Sequence, residues 1–271
     1  MPTTPAKNLL YRAALPILAP RSRGQMTHHI SGHPLTALPN YERILAKHHV
    51  FGASLLLQDG ANCALCDTST ANPEHLAQEN TLYRVASITK MATALVTLRC
   101  IDNGLFALDS EAASLLPDGE KAPALSGVTV RHLLCHTSGL RDLPILDDCL
   151  KEGKPYTELL RQPEIRACAP GQQLIYSNFG FGLLGCILEQ QTGLCIEPLF
   201  QEMLFRPLHM RATLDASTLN EAEIMPITRV LPYRAGQELR VTALGRHPLQ
   251  KLNPLCHYGH TAGAMYTDGR S

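Results

Sequence analysis

The stretch Leu82-Tyr83-Arg84-Val85-Ala86-Ser87-Ile88-Thr89-Lys90 sets the reading of the whole chain. From Ser87 onward, apolar residues fall at three- and four-residue intervals (Ile88, Met91, Ala92, Leu95, Leu98, Ile101) until Asn103-Gly104 stops the pattern. That spacing predicts a helix with a broad apolar face, and hence a central, buried one. Ser87 and Lys90 stand three positions apart at its start, so they share a face one turn apart and the ammonium can reach the hydroxyl. A serine in the first turn also meets the positive end of the helix dipole and free backbone N–H groups, which favour a developing oxyanion. The hydroxyl is a weak nucleophile until a base takes its proton. Lysine can serve only if its surroundings pull its pKa well below about 10.4. Alone, Ser-x-x-Lys also describes a helix cap followed by a solvated lysine, so its meaning rests on what accompanies it.

Tyr176-Ser177-Asn178 supplies a partner just before another predicted helix. A phenol acts as a general base when a nearby ammonium lowers its pKa, and Lys90 is the candidate ammonium. Asn178 carries both a donor and an acceptor, suited to an amide or ester side chain of a substrate. Ser and Asn are equally at home as helix caps, so this tripeptide too is decided by context.

Around these segments the organisation is uneven. Residues 1–35 are rich in Pro, Ser, His and basic residues without a sustained period, which predicts a mobile N-terminal extension ahead of one domain spanning 36–271. Asn40 to His48 is briefly helical in pattern. Phe51 to Gln58 ends at Asp59-Gly60 and reads as a strand and a turn, whereas 61–80 is polar with room for one short strand. Thr129 can cap a second helix running through Leu133 and Leu134 toward Gly139. A third helix is expected after Asn178 up to Gly193, and a fourth from about Ile196 to Phe205, with Pro198 in its first turn and Pro207 closing it. Residues 226–260 read as loop or short strand. Helices dominate the middle and one or two strands precede them, an α+β arrangement in which a helical cluster lies against a sheet.

Composition narrows the function classes. The formal net charge is zero, with no basic stripe of the kind a nucleic-acid partner requires. No stretch approaches the apolar length of a membrane span. Lys7 and Arg12 precede a short apolar run, Ala13 to Ala19, that Pro16 breaks, which makes a poor secretory signal; Met26 offers an alternative start. Nine cysteines, an odd number, point to reduced thiols and a cytoplasmic location, with the periplasm second. Cys63 and Cys66 form a lone C-x-x-C without a second pair or a histidine at zinc spacing, so no metal site is expected.

Taken in order, four segments resemble the β-lactamase-related serine hydrolases, the family of class C β-lactamases, D-Ala-D-Ala carboxypeptidases and family VIII esterases. They are the stretch from Leu82 to Lys90; the stretch from Val128 to Leu140, with His136-Thr137-Ser138-Gly139 at its turn; Pro170-Gly171 followed by Tyr176-Ser177-Asn178-Phe179-Gly180; and Arg206-Pro207-Leu208-His209-Met210. The likeness runs from about residue 50 to residue 267. It implies a β-lactamase/transpeptidase-like fold, a helical cluster against an antiparallel sheet. By the same resemblance Ser87 attacks a carbonyl, Lys90 and Tyr176 share the proton relay, and Asn178 binds the substrate's amide carbonyl or helps place Lys90. An acyl-enzyme on Ser87 would then be released by water, with no cofactor. The His136–Gly139 turn is read as architectural. Expected partners are small ester, β-lactam or short D-amino-acid peptide substrates.

The resemblance also carries an expectation of loss. Family members hold a third motif (Lys or His, then Thr, Ser or Ala, then Gly) on a late strand. Here Thr261-Ala262-Gly263-Ala264-Met265-Tyr266-Thr267 resembles the segment that precedes it, and His260-Thr261-Ala262-Gly263 fits the motif only with an extra residue. The reading is a domain lacking its C-terminal sheet strands, in which the Phe51–Gln58 strand has no sheet to join and the central helix loses the face it packs against. The competing function is therefore a truncated, catalytically inactive member.

Overall fold

The computed structural model describes residues 27–32, 41, 44–45, 52–60, 62–69, 77–78, 80–225, 227–230, 241–245 and 258–271. The chain divides into two units, one of residues 1–83, 220–248 and 268–270, the other of 84–219, 249–267 and Ser271. The span 36–271, read as one domain from sequence, contributes to both.

In the first unit, β1 (Thr27–Gly32), β2 (Gly52–Asp59) and β3 (Asn62–Ser69) form an antiparallel sheet in the order β1-β3-β2. The β2–β3 hairpin closes between the facing pair Asp59 and Asn62. Gly60 takes φ +58°, the left-handed backbone a two-residue hairpin turn needs and glycine adopts without steric cost. Three expectations change here. β2 does have a sheet to join: it pairs with β3 along its whole length, and only its other edge lacks a strand among the described residues. β3 is eight residues long where a short strand was expected, because two flanking strands satisfy the backbone of a segment whose polar members hide its pattern. Residues 27–32 of the predicted extension are a strand, with Thr27 opposite Ser69 and Gly32 opposite Ala64; residues 1–26 and 33–35 lie outside the described set. Of the expected Asn40–His48 helix, Tyr41, Ile44 and Leu45 are helical and the rest lie outside the described residues. The stretch 226–260 contributes a hairpin of Ile227–Val230 and Val241–Gly245, with 231–240 and 246–257 outside the description. Cys66 is a buried free thiol; the side chain of Cys63 is not described.

The second unit holds the helices. α1 spans Thr89–Asp102, α2 Val130–Leu134, α3 Asn178–Thr192, α4 Ile196–Phe200 and α5 His260–Gly263. α3 is apolar on nearly every side, and such a helix belongs in a core. Phe179, Phe181, Leu183, Leu184, Ile187 and Leu188 are all buried, each contributing roughly 1.5–3 kcal/mol. Ser177 caps it by accepting the Gly180 N–H at 2.9 Å, and Gly193 ends it in a left-handed conformation, φ +71°. α4 continues as a wider turn over Gln201–Phe205, so the expected Ile196–Phe205 helix is present in two pitches. No single helix among the described residues is long and apolar enough to cross a membrane.

Only part of the apolar period of α1 points inward: Ala92 is buried and Ile101 packs against the core, but the rest of the inward face is largely threonine. Met91 is 67% exposed and Ile88 56%, with Leu95 and Leu98 also open, whereas Thr89, Thr93, Val96, Thr97 and Cys100 are buried. The threonines can be buried because each hydroxyl has a carbonyl to donate to: Thr89 Oγ1 to Ala86 O, Thr97 Oγ1 to Thr93 O at 2.7 Å, and Thr93 Oγ1 to Thr261 O at 2.7 Å.

Two glycines let α5 approach α3. A Cβ on Gly182 would lie 2.1 Å from the Tyr258 carbonyl oxygen, and one on Gly185 2.7 Å from the Thr261 side chain. Thr261 Oγ1 donates to Phe181 O at 2.8 Å across that contact. β4 (Ala212–Thr213) pairs antiparallel with β5 (Tyr266–Thr267), the strand that follows α5.

Candidate active site

Ser87 is exposed and sits in a 3₁₀ turn, Ala86–Ile88, that leads into α1. The residue before it, Ala86, takes φ +46°, a left-handed conformation that costs a non-glycine residue about 1–2 kcal/mol. The turn is clamped from several sides. Thr89 Oγ1 donates to Ala86 O at 2.5 Å, Met265 N–H donates to Thr89 Oγ1 at 3.1 Å, and Val85 N–H donates to Met265 O at 3.0 Å. Strain of this kind, held by its surroundings, is what fixes a reactive side chain in place.

Two groups address the Ser87 oxygen. The Tyr176 hydroxyl donates to Ser87 Oγ at 2.7 Å, and Lys90 Nζ lies 3.3 Å from it. Lys90 is buried, and its ammonium is held by two further acceptors, Asn178 Oδ1 at 2.8 Å and the Ala262 carbonyl at 2.7 Å. It also stands 4.8 Å from the centre of the Tyr176 ring and 5.6 Å from that of Phe181. All four residues singled out from sequence, Ser87, Lys90, Tyr176 and Asn178, therefore converge.

The electrostatics follow from this packing. Partial burial works to raise the Tyr176 phenol, but hydrogen bonding with Lys90 and Ser87 and the Lys90 charge outweigh it, so its pKa falls below the usual 10.0. His136 is pushed below its ordinary 6.5, first by burial and then by the Lys90 charge. The neutral ring accepts the Ser177 N–H on Nδ1 at 3.2 Å and packs against Tyr176, 4.5 Å between centres, and Phe181, 4.9 Å.

The turn carrying His136 is fastened to the segment before Tyr176. Gly171 N–H donates to Thr137 O and Ile175 N–H to His136 O, both at 2.7 Å. Gly139, at φ +75°, passes so close to Cys168 that a Cβ would lie 2.1 Å from its carbonyl oxygen. α2 begins with a capping box in which Thr129 Oγ1 accepts the His132 N–H and His132 Nδ1 accepts the Thr129 N–H.

Sequence reasoning missed two members of the site. Asp142 accepts four hydrogen bonds from the start of α3, from Ser177 Oγ, Asn178 N–H, Asn178 Nδ2 and Phe179 N–H. A signal existed: the first N–H groups of a helix need acceptors, and Ser177 supplies only one. The Ala262 carbonyl is a backbone group of α5, where His260-Thr261-Ala262-Gly263 forms a helical turn rather than the strand of a third motif. The arrangement presents an exposed hydroxyl, a phenol that can take its proton, and a buried ammonium that favours the phenolate. That set suits acyl transfer through a serine ester.

The chain is similar to known proteins. The family model described as Beta-lactamase matches residues 40–265. Monacolin J acid methylbutanoyltransferase of Aspergillus terreus is 32% identical over 157 residues, covering 48% of this chain and 37% of that protein. Penicillin-binding protein 4 of Amycolatopsis lactamdurans is 28% identical over 225 residues, covering 74% and 58%. A solved class C beta-lactamase mutant superposes with a TM-score of 0.63 at 20% identity, covering 84% of this chain and 59% of the other. The chain thus spans between about a third and three fifths of the length of these proteins.

Proposed function

The chain belongs to the beta-lactamase family, and from that premise we propose that it acts through an acyl-enzyme on Ser87, taking esters, β-lactams or D-amino-acid peptides. The observation that carries this reading is the double approach to one oxygen, with Tyr176 at 2.7 Å and Lys90 at 3.3 Å from Ser87 Oγ.

The proton path follows the geometry. Tyr176, as the phenolate that Lys90 favours, takes the hydroxyl proton while Ser87 Oγ bonds to the substrate carbonyl carbon. The Ser87 backbone N–H, in the 3₁₀ turn that leads into α1, is the proposed donor to the oxyanion. As the tetrahedral species collapses, Tyr176 returns the proton to the departing amine or alkoxide, leaving an ester on Ser87. Water then attacks that ester, Tyr176 taking its proton and passing it back to Ser87 Oγ as the acid leaves. An alcohol in the place of water makes the same steps an acyl transfer. Asn178, whose amide is engaged by Lys90 on one end and Asp142 on the other, fits the placing of Lys90 better than a free substrate contact.

Intact-mass spectrometry after incubation with a fluorescent penicillin or a fluorophosphonate tests the reading. One adduct that vanishes in Ser87→Ala supports it. Folded protein that takes no adduct from either probe overturns it in favour of a catalytically inactive family member.

A further inference from the structure

Asp142 reaches the start of α3 from a loop that is itself pinned. Arg141 N–H donates to Ile165 O at 3.0 Å and Arg141 Nε to Glu164 O at 2.6 Å, while Leu140 bridges to Arg166. The carboxylate is shared evenly. Oδ1 accepts from Ser177 Oγ at 3.2 Å and Phe179 N–H at 2.9 Å; Oδ2 accepts from Asn178 N–H at 3.1 Å and Asn178 Nδ2 at 2.7 Å.

The contact with Nδ2 has a consequence at the nucleophile. The Asn178 amide lies between a group that only accepts, the Asp142 carboxylate, and a group that only donates, the Lys90 ammonium. One orientation satisfies both: NH₂ toward Asp142 and oxygen toward Lys90. In the flipped orientation donor meets donor at Lys90, and the ammonium keeps only Ser87 Oγ and the Ala262 carbonyl. A helix cap alone does not need a carboxylate, since Asn and Asp cap about equally well.

We propose, resting on the acyl-enzyme reading, that Asp142 is a positioning residue: it locks the Asn178 amide with its oxygen on Lys90 and so holds the ammonium beside Ser87 and Tyr176. The groups facing the Tyr176 phenol are Ser87 and Lys90 from the α1 end, His136 from its turn, and Asp142 behind Asn178.

Asp142→Asn tests this, since it keeps capping ability and removes the acceptor-only group. The rate of Ser87 acylation by the fluorophosphonate is expected to fall about 10- to 100-fold, the loss typical of a misplaced catalytic group. The acid limb of its pH profile is expected to move up, because a displaced ammonium no longer favours the phenolate. Loss of the Asp142 charge by itself would move that limb down, since this charge raises the Tyr176 pKa. The second readout needs no activity: the Asn178 side-chain N–H₂ signals of ¹⁵N-labelled protein, identified by their absence in Asn178→Asp, should exchange slowly in the wild type and fast in Asp142→Asn. Unchanged amide exchange, or a limb that moves down, overturns the positioning role. Faster exchange in a protein whose wild type takes no label upholds the positioning role and overturns the acyl-enzyme reading instead.

Discussion

The hydroxyl of Tyr176 donates to Ser87 Oγ at 2.7 Å while the Lys90 ammonium stands 4.8 Å from the centre of the same ring. The phenol is thus bound to the group it must deprotonate and sits beside the charge that lowers its pKa. Tyr176→Phe keeps the ring packing on His136 and removes only the oxygen. Ser87 acylation in that variant, followed by intact mass, is expected to drop about 10²- to 10⁴-fold, the usual worth of a general base.

Lys90 sets where that base titrates. With the phenol lowered from 10.0, acylation should rise with pH along a limb below 10.0 in the wild type. In Lys90→Ala the lowering influences named above, apart from the Ser87 hydrogen bond, are gone while burial and the Asp142 charge push upward, so the limb should move toward or above 10.0. A pH–rate series on the two proteins checks the direction. A limb that stays in place would mean that Lys90 does not act through Tyr176.

His136 should leave its mark on stability rather than on rate. Its folded pKa lies below 6.5, so in the pH range between the two values the unfolded chain binds the proton more readily. Its contribution is complete above 6.5 and is lost as pH falls through the lower, folded value. His136→Gln, whose side-chain oxygen can still accept the Ser177 N–H, should show a shallower loss of stability than the wild type on acidification from pH 7 to 5. Urea unfolding midpoints of the two proteins across that range measure the difference.

How much of this was legible in the sequence differs from residue to residue. The Ser87–Lys90 pair is local, so a helical repeat is enough to place it, and Tyr176 and Asn178 came with the segment they share. Asp142 was not visible, because its role depends on a loop pinned to Glu164 and Ile165 more than twenty residues on. The Ala262 carbonyl has no side-chain signature at all. α1 was found but its inward face was only partly legible, Ala92 and Ile101 falling on it and Met91 and Leu95 not, since threonines count as polar until their hydroxyls are seen donating to carbonyls. β3 was shortened for a similar reason: Asp67 and Thr68, both buried, read as surface residues.

The orientation of α1 makes a prediction opposite to its apolar period. Val96 is fully buried and Leu95 is 49% exposed. Val96→Ala is expected to cost about 2 kcal/mol through lost contacts and a cavity. Leu95→Ala, although it removes the larger side chain, should cost under about 1 kcal/mol. Denaturant titration of both variants decides the matter. A larger cost at Leu95 would mean that this face is covered in solution.

Gly182 ties the stability of the unit to the nucleophile. A Cβ there meets the Tyr258 carbonyl at 2.1 Å, a backbone atom that cannot swing aside, so Gly182→Ala must push the start of α5 away from α3. Strain of this size costs about 1–3 kcal/mol. The displacement also carries the Ala262 carbonyl away from Lys90 and the Thr261 carbonyl away from Thr93, so acylation of Ser87 should slow even though Gly182 touches neither reacting group. Gly193→Ala provides the comparison. It replaces the glycine that ends α3, in a left-handed conformation at φ +71°, but nothing stands near the added methyl. It should cost about 1 kcal/mol from backbone strain and leave the acylation rate as it was. Equal slowing in both variants would trace the effect to general loss of stability; slowing confined to Gly182→Ala would trace it to the position of α5.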